Sequence, residues 1–284
     1  MLDTPLTLFS NKSNSTGGLG GAGTAIAKAI ISEAGYVVLF DVIEQKAGET
    51  ATKAFGDHAL YVRCDITDEA ISRDAVKIAA NAFEKKLSGV VHCAGVALAQ
   101  PWTNRIGDHI ARFKKMLDIN TLGTFIINGL VADAINERYE PDKMKNNEFF
   151  TTKEERGVIV NFSSVAKEGI ARVLCYGPTK AGSHGVGVAM SDFLAPSGIR
   201  VNTVSPSIIN SAMVGAKLGY FMTELAKSAS FPQRPIEPEE ISDAVLFLIK
   251  NGMINNLDLK IDGRWTLMTD RSGDDPRLSL TEMQ

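Results

Sequence analysis

The chain has 284 residues, 44% of them hydrophobic and 22% charged, with a formal net charge of −3. A chain this long can bury roughly 75% of its unfolded surface and needs no disulfides for a full core. Its slight negative charge excludes a general electrostatic attraction to nucleic acid or to anionic membranes.

The first fifteen residues, MLDTPLTLFSNKSNS, carry no targeting pattern, and TEMQ at the other end is not a peroxisomal address. From residue 16 onward short apolar runs alternate with helical patterns, as in a parallel sheet built from βαβ units. TAIAKAIISEAG (24–35) places Ile26, Ile30 and Ala34 at fourfold spacing, with Gly35 as the expected stop. YVVLFD (36–41) and LYVRCD (60–65) follow as strands. A helical stretch through Ala75, Ile78, Ala79, Ala82 and Phe83 leads to a strand in 87–95, and a long helical pattern runs from Asp108 to Asn136. Residues 137–156 are highly charged and predict an exposed excursion. Then come a strand at 157–164, a helix from Cys175 to Leu194, a strand at 199–207 and a variable segment to Phe231. A helix opened by Pro238 and a last strand at 256–263 complete the pattern. The expected fold is α/β, a single-domain doubly wound Rossmann fold with a central, mostly parallel sheet. It spans residues 1–268, with a tail at 269–284.

Cys64, Cys93 and Cys175 are an odd, widely spaced set that fits a reduced compartment. His58, His92, His109 and His184 form no metal-ligand cluster with them, so no metal is expected. No apolar run reaches membrane-spanning length, and a cytoplasmic location without membrane attachment is the expectation.

The run from Thr16 to Gly23, TGGLGGAG, opens the first helix. Glycines there let a backbone approach a pyrophosphate, while the helix N-terminus offers it unpaired N–H groups. No Gly-Lys-Ser/Thr follows, which excludes a P-loop. Asp41, at the end of the second strand, can accept hydrogen bonds from an adenosine ribose and repel a 2′-phosphate, so NAD is the expected cofactor. The hexad SNKSNS (10–15) is too polar for the buried strand that should precede the loop. Either LTLF (6–9) serves with a long connection, or the first strand is shortened.

Tyr176 and Lys180 stand four apart near a helix start, on one face. A cation beside a phenol favours the phenolate, and a phenol of lowered pKa can exchange a proton with a substrate oxygen. A serine hydroxyl from the preceding strand end, Ser163-Ser164, can hold that oxygen.

In this combination the sequence resembles the short-chain dehydrogenase/reductase family over residues 16–264. Thr16-Gly17-x-x-x-Gly21-x-Gly23 resembles its cofactor loop, Asp65 its adenine-side Asp, and His92-Cys93-Ala94-Gly95 its Asn-Asn-Ala-Gly element. Asn120 in DINTLGTF and the Tyr176-Gly-Pro-Thr-Lys180 pair complete the match. The resemblance implies that Tyr176 is general acid/base, that Lys180 tunes it and holds the nicotinamide ribose, and that Ser164 orients the carbonyl. It implies that Asn120 positions a water on a proton relay. Ser163 has the more usual spacing to Tyr176; Ser164 is preferred because the strand end fixes its direction. Pro206 and Ser211 fall on the nicotinamide side. His92 replaces the family's first Asn, and Ser207 replaces a Gly, which is expected to restrict the turn.

Within the family, HCAGVALA, ERGVIVNFSSVA, LAPSGIRVNTVSP, FPQRP and INNLDLKIDG resemble the branch of type-2 3-hydroxyacyl-CoA dehydrogenases. That likeness implies NAD, a homotetramer, and interconversion of a secondary alcohol and a ketone, with acyl-CoA or lipophilic substrates. Many such enzymes are mitochondrial. The alternatives are a ketoreductase of secondary metabolism and a nucleotide-binding scaffold with weak catalysis.

Overall fold

The computed structural model describes residues 5–9, 18–83, 85–98, 103–169, 173–211, 214–215 and 218–265. Thr16, Gly17, the whole polar hexad and the tail 269–284 lie outside them. Strands β1 (Pro5–Phe9), β2 (Tyr36–Asp41), β3 (Ala59–Arg63), β4 (Gly89–His92), β5 (Gly157–Phe162), β6 (Ile199–Pro206) and β7 (Asp258–Ile261) form one sheet. Their order is β3-β2-β1-β4-β5-β6-β7, and every pairing is parallel. LTLF does serve as the first strand. It lies centrally between β2 and β4.

The strands read as near-continuous Val/Ile/Leu runs because helices cover both faces. Side chains alternate between two cores. On one face Val37, Leu39, Val91, Val160 and Val204 meet α1 (Gly21–Ser32) and α9 (Pro238–Lys250). On the other, Val38, Phe40, Val90, Ile159 and Val201 meet α3 (Glu69–Asn81), α5 (Gly123–Tyr139) and α7 (Tyr176–Phe193). The remaining helices are α2 (Gln45–Thr52), α4 (Ile110–Leu117), α6 (Pro141–Asn146) and α8 (Leu218–Ser228). None of the described helices is long and apolar enough to cross a membrane.

Two local expectations are corrected. The first helix ends at Ser32, and the left-handed residue beyond it is Ala34 (φ 62°), not Gly35. Gly35 is required for another reason: a Cβ there would stand 2.6 Å from Ile30 Cγ2 and 2.8 Å from the Ile30 carbonyl oxygen. Ile78, taken as part of an apolar helix face, is 48% exposed. The charged 137–156 segment is largely exposed and carries a short helix of its own. Pro141 opens α6, left-handed Asn147 closes it, and Arg156 ties the segment back to Glu140 at 2.8 Å with its guanidinium 4.8 Å from the Tyr139 ring.

The 108–136 helical pattern is continuous but not uniform. Between α4 and α5 the chain makes one wide π turn over Asp118–Leu122. Such turns insert a residue without breaking the helix and tend to mark functional positions. Here the inserted turn carries Asn120.

Candidate active site

The strand order reverses between β1 and β4, and a parallel sheet opens a crevice at the carboxyl ends of its strands at that point. Gly20 caps α1, and Gly21 and Gly23 lie in its first turn. A Cβ on Gly21 would stand 3.2 Å from the Ser211 Cβ, so the glycine loop and the segment after β6 close on each other here. Asp41, at the end of β2, is fully buried. One carboxylate oxygen accepts the Ile43 N–H at 3.3 Å; the other has no hydrogen-bond partner among the described residues. A buried carboxylate oxygen without a donor is costly, and a ribose hydroxyl would satisfy it. The Asp therefore fits both a turn-capping and a ribose-binding reading. Beyond it a cavity of about 580 Å³ is lined by Val42, Asp65, Thr67, Lys115, Asp118 and Ile119. Asp65 is held in place by accepting both the backbone N–H and the hydroxyl of Thr67.

Ala94 and Gly95 follow β4. An added Cβ on Gly95 would meet Lys180 Nζ at 2.8 Å and Asn120 Oδ1 at 3.3 Å, so only a glycine lets this backbone lie against both. Asn120 is fully buried. Its amide oxygen accepts the Val96 N–H at 2.8 Å, and its amide nitrogen donates to the Val96 carbonyl and to Thr179 Oγ1. Its own carbonyl accepts hydroxyls from Thr124 and Ser183 at 2.6 and 2.5 Å. The side chain thus braces the exit of β4 against α7. Both lone pairs of the carbonyl are taken, so a water held there would have to displace a hydroxyl.

Tyr176 is the first residue of α7 and Lys180 lies one turn on. The Ser164 hydroxyl stands by the Tyr176 phenol and favours its ionised form. The Ser164 hydroxyl also accepts the Ala166 N–H at 3.1 Å and reaches the Pro206 carbonyl at 3.4 Å. Ser163 points elsewhere and donates to the Lys180 backbone carbonyl at 2.8 Å. Lys180, 4% exposed, donates to the Phe162 carbonyl at 2.9 Å and lies 5.9 Å from the Tyr176 ring centroid.

The electrostatics differ from the expectation of a lysine-lowered phenol. Burial pushes Tyr176 up to about 12, with only the Ser164 hydrogen bond pulling it back. Burial also drives Lys180 down to about 8. Desolvation dominates both groups in this dry site, and the amine donates to a backbone carbonyl. Burial, with Lys180 nearby, lowers His92 to about 3, so its ring at the end of β4 is neutral. Ser207 does not restrict the turn: its N–H donates to the Ile261 carbonyl at 2.9 Å, and it is not among the left-handed residues.

Sequence reasoning missed Thr179 and Ser183, which lock Asn120, and a polar group behind Ser164 made of Lys167, Ser205 and Asp258. The partners are separated by 38 to 91 positions, and no local spacing could have announced them.

A buried amine one helical turn from a tyrosine, with a serine hydroxyl beside the phenol and a switch-point crevice next to them, is the machinery of a nicotinamide-dependent oxidoreductase. The family model described as enoyl-(acyl carrier protein) reductase matches residues 18–263. The chain belongs to the short-chain dehydrogenase/reductase family. It is 33% identical over 257 residues to 3-hydroxyacyl-CoA dehydrogenase type-2 of Drosophila melanogaster, covering 89% of this chain and 96% of that protein. Identity to the Homo sapiens protein of the same name is 31% over 252 residues, 87% of this chain and 92% of the relative. The crystal structure of 3-hydroxyacyl-CoA dehydrogenase type-2 from Mycobacterium avium superposes with a TM-score of 0.74 at 26% identity, over 93% of this chain and 95% of that one. The chain is therefore a short-chain oxidoreductase, and the family implies a nicotinamide cofactor.

Proposed function

We propose that this enzyme uses NAD(H) to interconvert a secondary alcohol and a ketone, with 3-hydroxyacyl-CoA and 3-ketoacyl-CoA as the substrate pair. The observation that carries the reading is the convergence of Ser164, Tyr176 and buried Lys180 at the carboxyl edge of the sheet. Bound NAD+ supplies the hydride acceptor and a positively charged ring. In the alcohol-oxidising direction the base is the Tyr176 phenolate, which the positive charge of that ring would favour against the burial that raises its pKa, and it would take the hydroxyl proton from the substrate oxygen. Ser164 donates a hydrogen bond to that oxygen as it becomes a carbonyl, and Lys180 holds the phenol and the ribose in register. Asn120 keeps α7 at a fixed distance from the β4 exit.

For the cofactor, Gly21, Gly23, Ala94, Gly95, Pro206 and Ser211 fit the pyrophosphate and nicotinamide side. Asp41 fits the ribose, and Asp65 with its cavity the adenine. The unmatched Asp41 oxygen favours NAD over NADP. The acyl-CoA assignment draws on the names of the relatives and is the reading's finer part.

A homotetramer is the assembly we propose. Ile106, Ile110, Phe113 and Leu117 lie at helical spacing along α4 and the turn before it, and Leu122 and Phe125 continue the stripe. They are 38% to 70% exposed. A second copy of the same helices would cover such a stripe, as an isologous interface requires. Sedimentation checks this, and a monomer or a dimer at assay concentration overturns it.

NADH absorbance with acetoacetyl-CoA, steroid ketones and aromatic ketones tests the activity. Turnover of acetoacetyl-CoA is expected, with Tyr176→Phe inactive but still binding NADH. Full turnover by Tyr176→Phe, or none by the wild type on any of the three, overturns the reading.

A further inference from the structure

Ser164 is anchored lightly by its own contacts. Its hydroxyl reaches the Pro206 carbonyl only at 3.4 Å, a long bond. The residues that follow it, Val165–Glu168, form a single 3₁₀ turn with Ser164 as its cap. Yet the side chains of that turn hold tightly to the far edge of the sheet. Lys167 donates its ammonium to Ser205 Oγ at 2.8 Å and to Asp258 Oδ2 at 2.6 Å, and Ser205 Oγ donates to Asp258 Oδ1 at 2.5 Å. The pair is secluded, with the Lys167 side chain 8% exposed and that of Asp258 20%. Next to it Glu168 pairs with Lys260, the same two charges in reverse order. Ser205 immediately precedes Pro206, so the ammonium grips the strand that accepts the Ser164 hydroxyl.

A secluded ion pair is weak evidence for stability, since desolvating both charges can cancel their attraction. Its geometric effect is not cancelled. Lys167 N–H donates to the Ser164 carbonyl at 3.1 Å, so the turn behaves as a short lever between clamp and hydroxyl. Val165, on the same turn, lies in an apolar cluster with Leu225, Ala229 and Trp265, which ties α8 to it as well.

We infer that Lys167 is a positioning residue for the proposed reaction, holding the Ser164 hydroxyl at Tyr176 through its clamp on Ser205 and Asp258. This rests on the functional reading above. A misplacement near 1 Å at a reacting group costs about 10²-fold in rate, and loss of one anchor among several should cost about tenfold.

The test compares Lys167→Met with the double variant Lys167→Met/Asp258→Leu, which leaves no unpaired charge. Expected is a kcat lowered about tenfold in both, with KM and NADH affinity within about twofold, and recovery of most of the loss in Lys167→Arg. Wild-type kcat in the folded variants, or a KM that moves in step with kcat, overturns the inference. If neither Met variant folds, Asp258→Asn is read the same way, and wild-type kcat in it overturns the inference. A crystal structure of Lys167→Met, or of Asp258→Asn in that event, reads the Ser164–Tyr176 contact without any substrate. A broken contact supports the clamp, and an intact one overturns it. Full activity in Tyr176→Phe instead overturns the functional reading and leaves this structural readout standing.

Discussion

Ser163 donates its hydroxyl to the backbone carbonyl of Lys180 at 2.8 Å. That bond takes Ser163 away from the substrate side and leaves its neighbour Ser164 to face Tyr176. Two adjacent serines at the end of an extended strand point to opposite sides, so only one of them can serve the phenol.

Ser164→Ala should therefore lower kcat about 10²- to 10³-fold, the size seen when one donor to a developing charge is removed. Ser163→Ala should keep kcat near wild type and lower stability by about 1 kcal/mol, one buried hydrogen bond. Turnover by NADH absorbance and a urea titration separate the two. Equal losses of kcat would refute the assignment of roles.

Asp41→Ala should weaken NAD binding about tenfold, or about 1.4 kcal/mol, and bring NADP closer to NAD. The reason is the buried carboxylate oxygen that lacks a donor among the described residues. Fluorescence titration with NADH and NADPH measures the ratio, and an unchanged ratio speaks against a ribose contact.

Lys180 makes a prediction about pH and stability in the unliganded protein. Burial holds its folded pKa near 8 against an ordinary 10.5. Between those values the unfolded chain binds more protons at this site than the folded one, so this group adds stability as pH rises through the window. Below about 8 both states are protonated, and the cost of burying the charge is fully felt. Lys180→Met removes the titration. The difference in Tm, wild type minus variant, should climb from pH 7 to 10 and stay flat below 7. A flat difference throughout would show that the amine is not desolvated.

Gly95→Ala should fold but lose about 10²-fold in kcat/KM. The new methyl would stand 2.8 Å from Lys180 Nζ, and the amine cannot withdraw freely because it is buried and bonded to the Phe162 carbonyl. Steady-state kinetics with a melting curve reads both quantities. Wild-type kinetics would mean that the amine has more room than its contacts imply.

Much of this was legible in one dimension. The Val/Ile runs and the intervening helical spacings predict the parallel sheet because a strand covered on both faces must be apolar throughout. Tyr176 and Lys180 share a face because one helical turn separates them. The glycine run marks a helix N-terminus. The electrostatics of Tyr176 were not legible, since its acidity depends on how dry the pocket is, a property of every element around it. The stop of α1 was misread for a related reason: Gly35 is demanded by its distance to Ile30 and not by its φ.

Local order thus came from the chain itself: periodicity chose strand or helix, and short motifs at fixed offsets marked the cofactor loop and the catalytic helix. The tertiary structure alone decided which serine faces the tyrosine, that Asn120 is tied to Val96 and Thr179, and that Lys167 reaches Asp258 across 91 positions. Contacts of that separation are set by strand order and by the pitch of packed helices. Desolvation depends in turn on the whole surrounding volume, which no window of sequence contains.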